Sequence, residues 1–324
     1  MTIKLSALLL TLFFSHLVFA QIESFDDRNI HVSIGSELQS INLTFDNAIS
    51  GRSLQYSPNL NGMFVPKIAY QDWFVLSWGF QTPTSELEKQ LQGETIFTDT
   101  RFSFDLGSFR LSVFYLQYRG LYIENSQEVD PSLSPLQKII LPDLYTRSYG
   151  AEFTWIKNPE RFSLKALTAQ SERINGSGGS LLLGASHVNN RIEAPAGLFP
   201  VSINQDFGPE AELSIADLST TSVKVGYGYA TGRKWFIGGA IQAGPGAGTQ
   251  KLVMIDGSSR SGTIGSLRLE ALVSMGYNGD RFFSSIQSEI KQDYFYLKGS
   301  DTQIANQISN VVLNVGLHLD SLGF

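Results

Sequence analysis

Leu267-Arg268-Leu269-Glu270-Ala271-Leu272-Val273-Ser274-Met275-Gly276-Tyr277 decides how the rest of the chain is read. Leu267, Leu269, Ala271, Val273, Met275 and Tyr277 hold one parity, and Arg268, Glu270, Leu272, Ser274 and Gly276 hold the other. A period of two sends the two sets to opposite faces of a strand. After Asn278-Gly279-Asp280, a turn sequence, Phe282, Ile286, Ile290, Tyr294 and Tyr296 share a parity, with Gln287, Glu289, Lys291 and Asp293 on the other. The result is a long hairpin, apolar on one side and charged on the other, as in the wall of a transmembrane β-barrel.

The N-terminus supplies the compartment. Lys4, the apolar run Leu8 to Phe14 and Val18-Phe19-Ala20 ahead of Gln21 read as a secretory signal peptide over residues 1–20, cleaved after Ala20. The chain has no cysteine, so neither a lipidated cysteine nor a disulfide framework holds it. No later segment reaches the roughly 20 consecutive apolar residues of a membrane helix. A membrane-spanning chain without spanning helices must close its backbone hydrogen bonds in a barrel. A net charge of −6 and the absence of a basic run argue against nucleic acid as a partner.

The same alternation recurs along the chain. Residues 21–38 show no sustained period and are expected to form a periplasmic lead-in, with one barrel domain over 39–324. Strands are expected at Ser40 to Phe45, Met63 to Tyr70, Phe74 to Phe80, Phe97 to Leu106, from Phe109 through Tyr115, and at Tyr145 to Ile156. Tyr115, Tyr118 and Tyr122 are expected where the wall leaves the apolar band. Lys157-Asn158-Pro159-Glu160 would turn the chain into a strand at Arg161 to Gln170. Residues 171–219 read as a long loop because of their Gly and Pro content, although Gly178 to Gly184 could be a strand. Alternation returns at Thr221 to Tyr229, from Trp235, through the opening hairpin and from Ile308 to Leu319. Short turns near Gln71, Gly107, Asn158, Gly232 and Gly279 alternate with longer connections. The expected fold is therefore all-β: a closed antiparallel transmembrane β-barrel of about 12 strands, within about 10 to 14, with short periplasmic turns and longer extracellular loops.

Several motifs carry a family resemblance. Phe162-Ser163-Leu164-Lys165-Ala166, Gln170-Ser171, Ser177-Gly178-Gly179-Ser180 and Leu181-Leu182-Leu183-Gly184, with the earlier Tyr115-Leu116-Gln117-Tyr118-Arg119-Gly120-Leu121-Tyr122 and Leu141-Pro142-Asp143-Leu144, are its quotable parts. The chain resembles the outer-membrane barrel family of unknown function numbered forty-four twenty-one in the DUF series. The resemblance covers most of the mature chain, implies a barrel in the outer membrane of a Gram-negative bacterium, and adds no catalytic residue.

Arg101, Asp105, Arg110, Glu152, Lys165, Lys224, Arg268, Glu270, Glu289, Lys291 and Asp293 fall opposite the apolar stripe and are expected to face the lumen. They could select or bind a small solute. They could equally pair across strands and fill a small barrel, which mixed signs favour over a filter of one sign. For an enzyme, a rim-active lipid hydrolase is the reading to test. Ser186 and His187 are adjacent, which on a strand points them to opposite faces, and no Ser-His-acid spacing is apparent. His31, His187 and His318 lack metal-ligand spacing, and the Gly runs at 177–180 and 244–248 lack the Lys and helix of a phosphate loop. No cofactor or metal is expected. The expected partners are outer-membrane lipid, a small solute, and the barrel-assembly machinery, which would engage the last strand. Phe324 ends the chain with an aromatic, but out of parity with Val311 to Leu319. The functional expectation is a passive pore, solute-binding or structural surface protein, with a rim-active lipid-modifying enzyme and a soluble secreted β-rich binding protein as alternatives.

Overall fold

The computed structural model describes residues 21–25, 30–70 and 73–320. The expected leader over residues 1–20, the turn expected near Gln71 and the terminal Phe324 lie outside the described residues. The strands are β1 (Gln21–Ser24), β2 (Ile30–Asn47), β3 (Ser53–Pro58), β4 (Met63–Tyr70), β5 (Phe74–Trp78), β6 (Phe80–Gln81), β7 (Ile96–Leu106), β8 (Phe109–Ile123), β9 (Ile139–Ile156), β10 (Glu172–Glu193), β11 (Leu213–Gly232), β12 (Trp235–Met254), β13 (Ser259–Asn278), β14 (Phe282–Tyr296) and β15 (Thr302–Leu319). Short helices interrupt them: α1 (Glu86–Gln92), α2 (Ser126–Val129) and α3 (Leu164–Thr168).

Antiparallel pairing runs β2, β4, β5, β7, β8, β9, β10, β11, β12, β13, β14, β15 and back to β2, a closed wall of twelve staves among the described residues. Closure leaves no edge, so the backbone polar groups of the wall are paired within it. The opening hairpin keeps the register its parity demands, with Arg268 opposite Asp293 and Glu270 opposite Lys291. Outward positions such as Val223, Ile237, Val273, Ile286 and Leu313 are exposed, and inward positions of the same strands are buried. The apolar face is thus on the outside, the reverse of a soluble sandwich.

The wall changes width along its axis. Toward the long-loop end β3 takes the place of β4, pairing with β2 on one side and directly with β8 on the other, so β5 and β7 drop out and ten staves remain. The switch occurs at Gly120, where the β8–β9 register shifts between Arg119 and Leu121. Its φ of 81° suits glycine, and a Cβ there would run into the carbonyl oxygen of Glu94. Asn59 seals the step: its backbone N–H donates to Thr95 Oγ1 (2.8 Å) and its side-chain amide to the Gly93 carbonyl (2.7 Å).

Four expectations change. The first strand begins at Ile30, not Ser40, so residues 30–38 belong to the barrel and not to a lead-in. Val32, Ile34 and Leu38 point outward there, but Gly35 and Ser36 obscure the period. Residues 161–170 do not form a strand. Ser163 Oγ accepts from the Ala166 N–H and starts α3, in a run of good helix formers. The strand assigned there is β10, which occupies the first half of what reads as a loop. Its residues Glu172–Glu193 are rich in Gly and Ser, and it is held by neighbours on both sides rather than by its own propensity. Finally, Tyr118 is buried inside; Tyr115 stands outward and exposed, and Tyr122, which pairs opposite outward Ile140 beyond the register shift, lies on the outer face with Lys138 over its ring.

Candidate functional site: a filled lumen

The lumen has three layers. At the long-loop end, inward Ile41, Leu43, Phe45, Leu116, Phe295 and Ile304 form an apolar core with the segment 194–212. That segment folds into the mouth. Phe199 stacks on Phe207 with centroids 4.0 Å apart and meets Phe45 edge-on at 5.3 Å, and Tyr56 donates to the Leu198 carbonyl. Fully buried Glu210 fastens the end of the segment, pairing with Arg260 and accepting from Ser300 Oγ (2.6 Å).

The middle layer is charged. Arg268, nearly fully buried, is ringed by three carboxylates: Glu270 (2.6 Å), Asp293 (2.7 Å) and Glu152. Lys224 Nζ reaches Glu270 at 2.5 Å, and Lys291 Nζ reaches Glu152 at 2.9 Å and Glu289 at 3.5 Å. Arg101 lies 3.7 Å from Glu289 and is held by Asp99 at 2.7 Å. This is one chain of alternating sign running from β11 through β13, β9 and β14 to β7. β9 and β13 are not wall neighbours, so the Arg268–Glu152 contact crosses the lumen. Arg110 and Asp105 pair separately at 2.9 Å. Such a network persists in a low-dielectric interior only because nearly every member is both paired and hydrogen-bonded.

The short-turn end is stoppered by residues 157–171, carrying α3. Phe162, Leu164, Ala166 and Leu167 bury against Ile156, Leu182, Ala230 and Phe236. Gly228 is a socket, since any Cβ there would collide with the Phe162 ring, and at Gly238 a Cβ would come within 2.8 Å of Leu167. The last carbonyls of α3, which have no intrahelical partner, are met by inward donors. Lys67 Nζ donates to the Thr168 carbonyl (2.8 Å), and Gln287 Nε2 to those of Leu167 (2.8 Å) and Thr168 (2.9 Å). Arg110 donates to Thr168 Oγ1 at 3.1 Å. Cations at a helix C-terminus add favourable dipole interactions.

Between plug and network lies a polar cavity of about 170 Å³, lined among others by Glu37, Lys67, Arg101, Arg110, Gln287 and Lys291. It has room for several waters or a small polar solute. Arg101, Asp105, Arg110, Glu152, Lys224, Arg268, Glu270, Glu289, Lys291 and Asp293 all stand on inward strand positions. Lys165 is instead on α3, where it pairs with Glu172 at 2.6 Å. Glu37, Lys67 and Asp99 join the site without having been singled out from the sequence, as does Gln287, which parity had placed on the polar face but not among the candidates. The Asp99/Arg101 spacing was a usable signal, whereas Glu37 was hidden within the supposed lead-in.

The histidines are dispersed. His31 and His318 meet through Nδ1 atoms at 2.6 Å near the short-turn end, where β2 and β15 close the wall, and His187 faces outward beside Thr221 (3.0 Å). Ser186 points inward, away from His187. Outside the spanning strands, Arg173 and then Lys234 hold the Asp280 carboxyl below the usual carboxylate range by hydrogen bonding and charge.

A family model described as a domain of unknown function (DUF4421) matches residues 21–318, and the chain belongs to that family. No curated protein matches the chain. Among solved structures, the outer membrane protease OmpT from Escherichia coli is 10% identical with a TM-score of 0.34, covering 94% of this chain and 98% of that one. The toluene transporter TodX of Pseudomonas putida is 10% identical with a TM-score of 0.31, covering 90% of each chain. OmpT of Vibrio cholerae, an outer membrane protein, is 9% identical with a TM-score of 0.32, covering 89% of this chain and 98% of that one.

Proposed function

We propose that this member of the family is an outer-membrane barrel closed to passive diffusion, with an internal chamber for a small solute bearing both charges. The outward apolar band and the all-strand wall support placement in a membrane. The short turns would then face the periplasm and the long loops the exterior. A leader ending at Ala20 and engagement of β15 by the assembly machinery belong to the same reading.

The observation that carries it is the double insertion. Residues 194–212 fill the mouth with apolar side chains, and residues 157–171 fill the other end, with the cross-lumen ion pairs between them. A passive pore keeps a continuous aqueous path. The chamber's mixed lining, with Lys67, Arg101 and Lys291 facing Glu37 and Glu289, favours a zwitterion over a simple ion.

The test is single-channel recording in a planar bilayer with the refolded full chain. The wild type is expected to give no steady unitary conductance. Replacing residues 161–170 by a Gly-Ser linker of equal length, together with Glu210→Ala to loosen the mouth segment, is expected to give discrete openings. A steadily conducting wild type would sink the reading. A rim-active enzyme is the second candidate, and Ser186 and His187, on opposite faces, do not assemble into a nucleophile–base pair for it.

A further inference from the structure

The charges used so far face inward. A second charged feature lies on the outside of the wall, in the long-loop half and beyond the apolar band. Pairing places Arg147 of β9 opposite Arg191 of β10, Arg191 opposite Asp217 of β11, Asp217 opposite Lys251 of β12, and Lys251 opposite Ser261 of β13. All share the parity of outward Tyr149, Phe153, Leu183 and Val223. Together with Tyr149, Asn189 and Thr249, they border a shallow outward groove of about 410 Å³.

The charges of this row do not cancel locally. Asp217 (3.0 Å) and Glu193 (2.9 Å) both bind Arg191. Among the described residues, neither Arg147 nor Lys251 makes an ion pair. Arg147 lies over the Tyr149 ring at 5.6 Å, and its buried Nε has no hydrogen-bond acceptor. Asp217 and Glu193 already answer Arg191, so the positive charge left over in the row rests on Arg147 and Lys251. Planar guanidinium donors match a phosphate in two-point geometry, and an ammonium adds a point charge. Toward the middle of the wall the same strands present Phe153, Leu183, Val223, Val225 and Tyr227, a surface for acyl chains.

We propose that this groove is a binding site for the phosphate of an outer-leaflet lipid, held by Arg147 and Lys251, which flank the Arg191–Asp217 ion pair. The proposal rests on the outer-membrane reading above, but not on a closed lumen. Like other lipid-phosphate sites, it joins a basic pocket to an apolar flank.

The test is retention of lipid by the refolded full chain in detergent, read by native mass spectrometry. The probes are bisphosphorylated lipid A and the same lipid with its phosphates removed. The wild type should retain the phosphorylated form preferentially. Arg147→Gln with Lys251→Gln should cut that retention about tenfold, the loss expected for charge-assisted hydrogen bonds. Arg119→Gln, on a neighbouring strand, should leave it unchanged. Equal retention of both lipids, or an unchanged double variant, overturns the site. Displacement by millimolar inorganic phosphate alone would show a free-phosphate site and overturn the lipid assignment. Heat-modifiable gel migration of each variant reports barrel folding separately, so failure of the barrel reading is distinguishable from failure of the site.

Discussion

At the scale of single residues, the lumen depends on Arg268. Its guanidinium answers Glu152, Glu270 and Asp293, and removing it would leave three buried carboxylates without the cation they share. Arg268→Ala is expected to destabilise the barrel by about 3–5 kcal/mol, the cost of breaking a buried network from one side. Urea unfolding in lipid vesicles, followed by tryptophan fluorescence, checks this. A loss within the range of surface substitutions would mean that water screens the layer. At the short-turn end Asp280 sets a smaller, pH-dependent effect. Arg173 and Lys234 depress its pKa, so its contribution is present above the unfolded carboxylate range, near pH 4, and is lost as pH falls through the depressed value. Because Asp280 is 62% exposed, solvent screening keeps the effect within about 1 kcal/mol. The stability gap between wild type and Asp280→Asn should close on acidification; a gap that widens would contradict the assigned sign.

At the scale of elements, α3 and its socket form a matched pair. The helix is too short to be stable by itself, and it persists because its apolar face is buried and its free carbonyls are met by Lys67 and Gln287. Gly228→Leu places a side chain where the Phe162 ring lies. Overpacking of this kind costs about 1–3 kcal/mol if the plug stays in place. Displacement of residues 157–171 is the expected relief, seen as new protease cleavage at Lys165 or Arg161 while heat-modifiable migration is retained. Pairing Gly228→Leu with Phe162→Ala should restore protection. If cleavage persists in the pair, the ring is not what the glycine accommodates.

At the scale of the whole molecule, the taper from twelve staves to ten depends on the backbone at Gly120. Gly120→Val adds a β-branched side chain at a positive φ and against the Glu94 carbonyl. The expected outcome is loss of the folded, heat-modifiable band, since β8 could no longer exchange β7 for β3; normal refolding yield would show that the step tolerates another geometry. The interior also explains why a barrel of this size needs no disulfide: both ends and the middle are packed. Helical plugging, charge pairing and an apolar mouth segment each close a different layer.

The sequence by itself determined the wall. Where one strand face meets lipid and the other a polar interior, as from Leu267 to Tyr277, the period of two records burial directly, and ten of the eleven charges were placed by parity; Lys165, the eleventh, belongs to α3. The expected strand number also matches the wall, although one of the strands was placed at residues 161–170 and belongs at 172–193. Only the tertiary structure decided what fills the barrel. Segments 157–171 and 194–212 pack against partners distant in sequence, so no local period marks them. β10 looked like a loop because glycine and serine lack strand propensity, while its strand state comes from pairing with β9 and β11. The partners of Arg268 show the same division: its lumen-facing position follows from its neighbours in sequence, but its contact with Glu152 exists only because the wall curves round to bring β9 and β13 face to face.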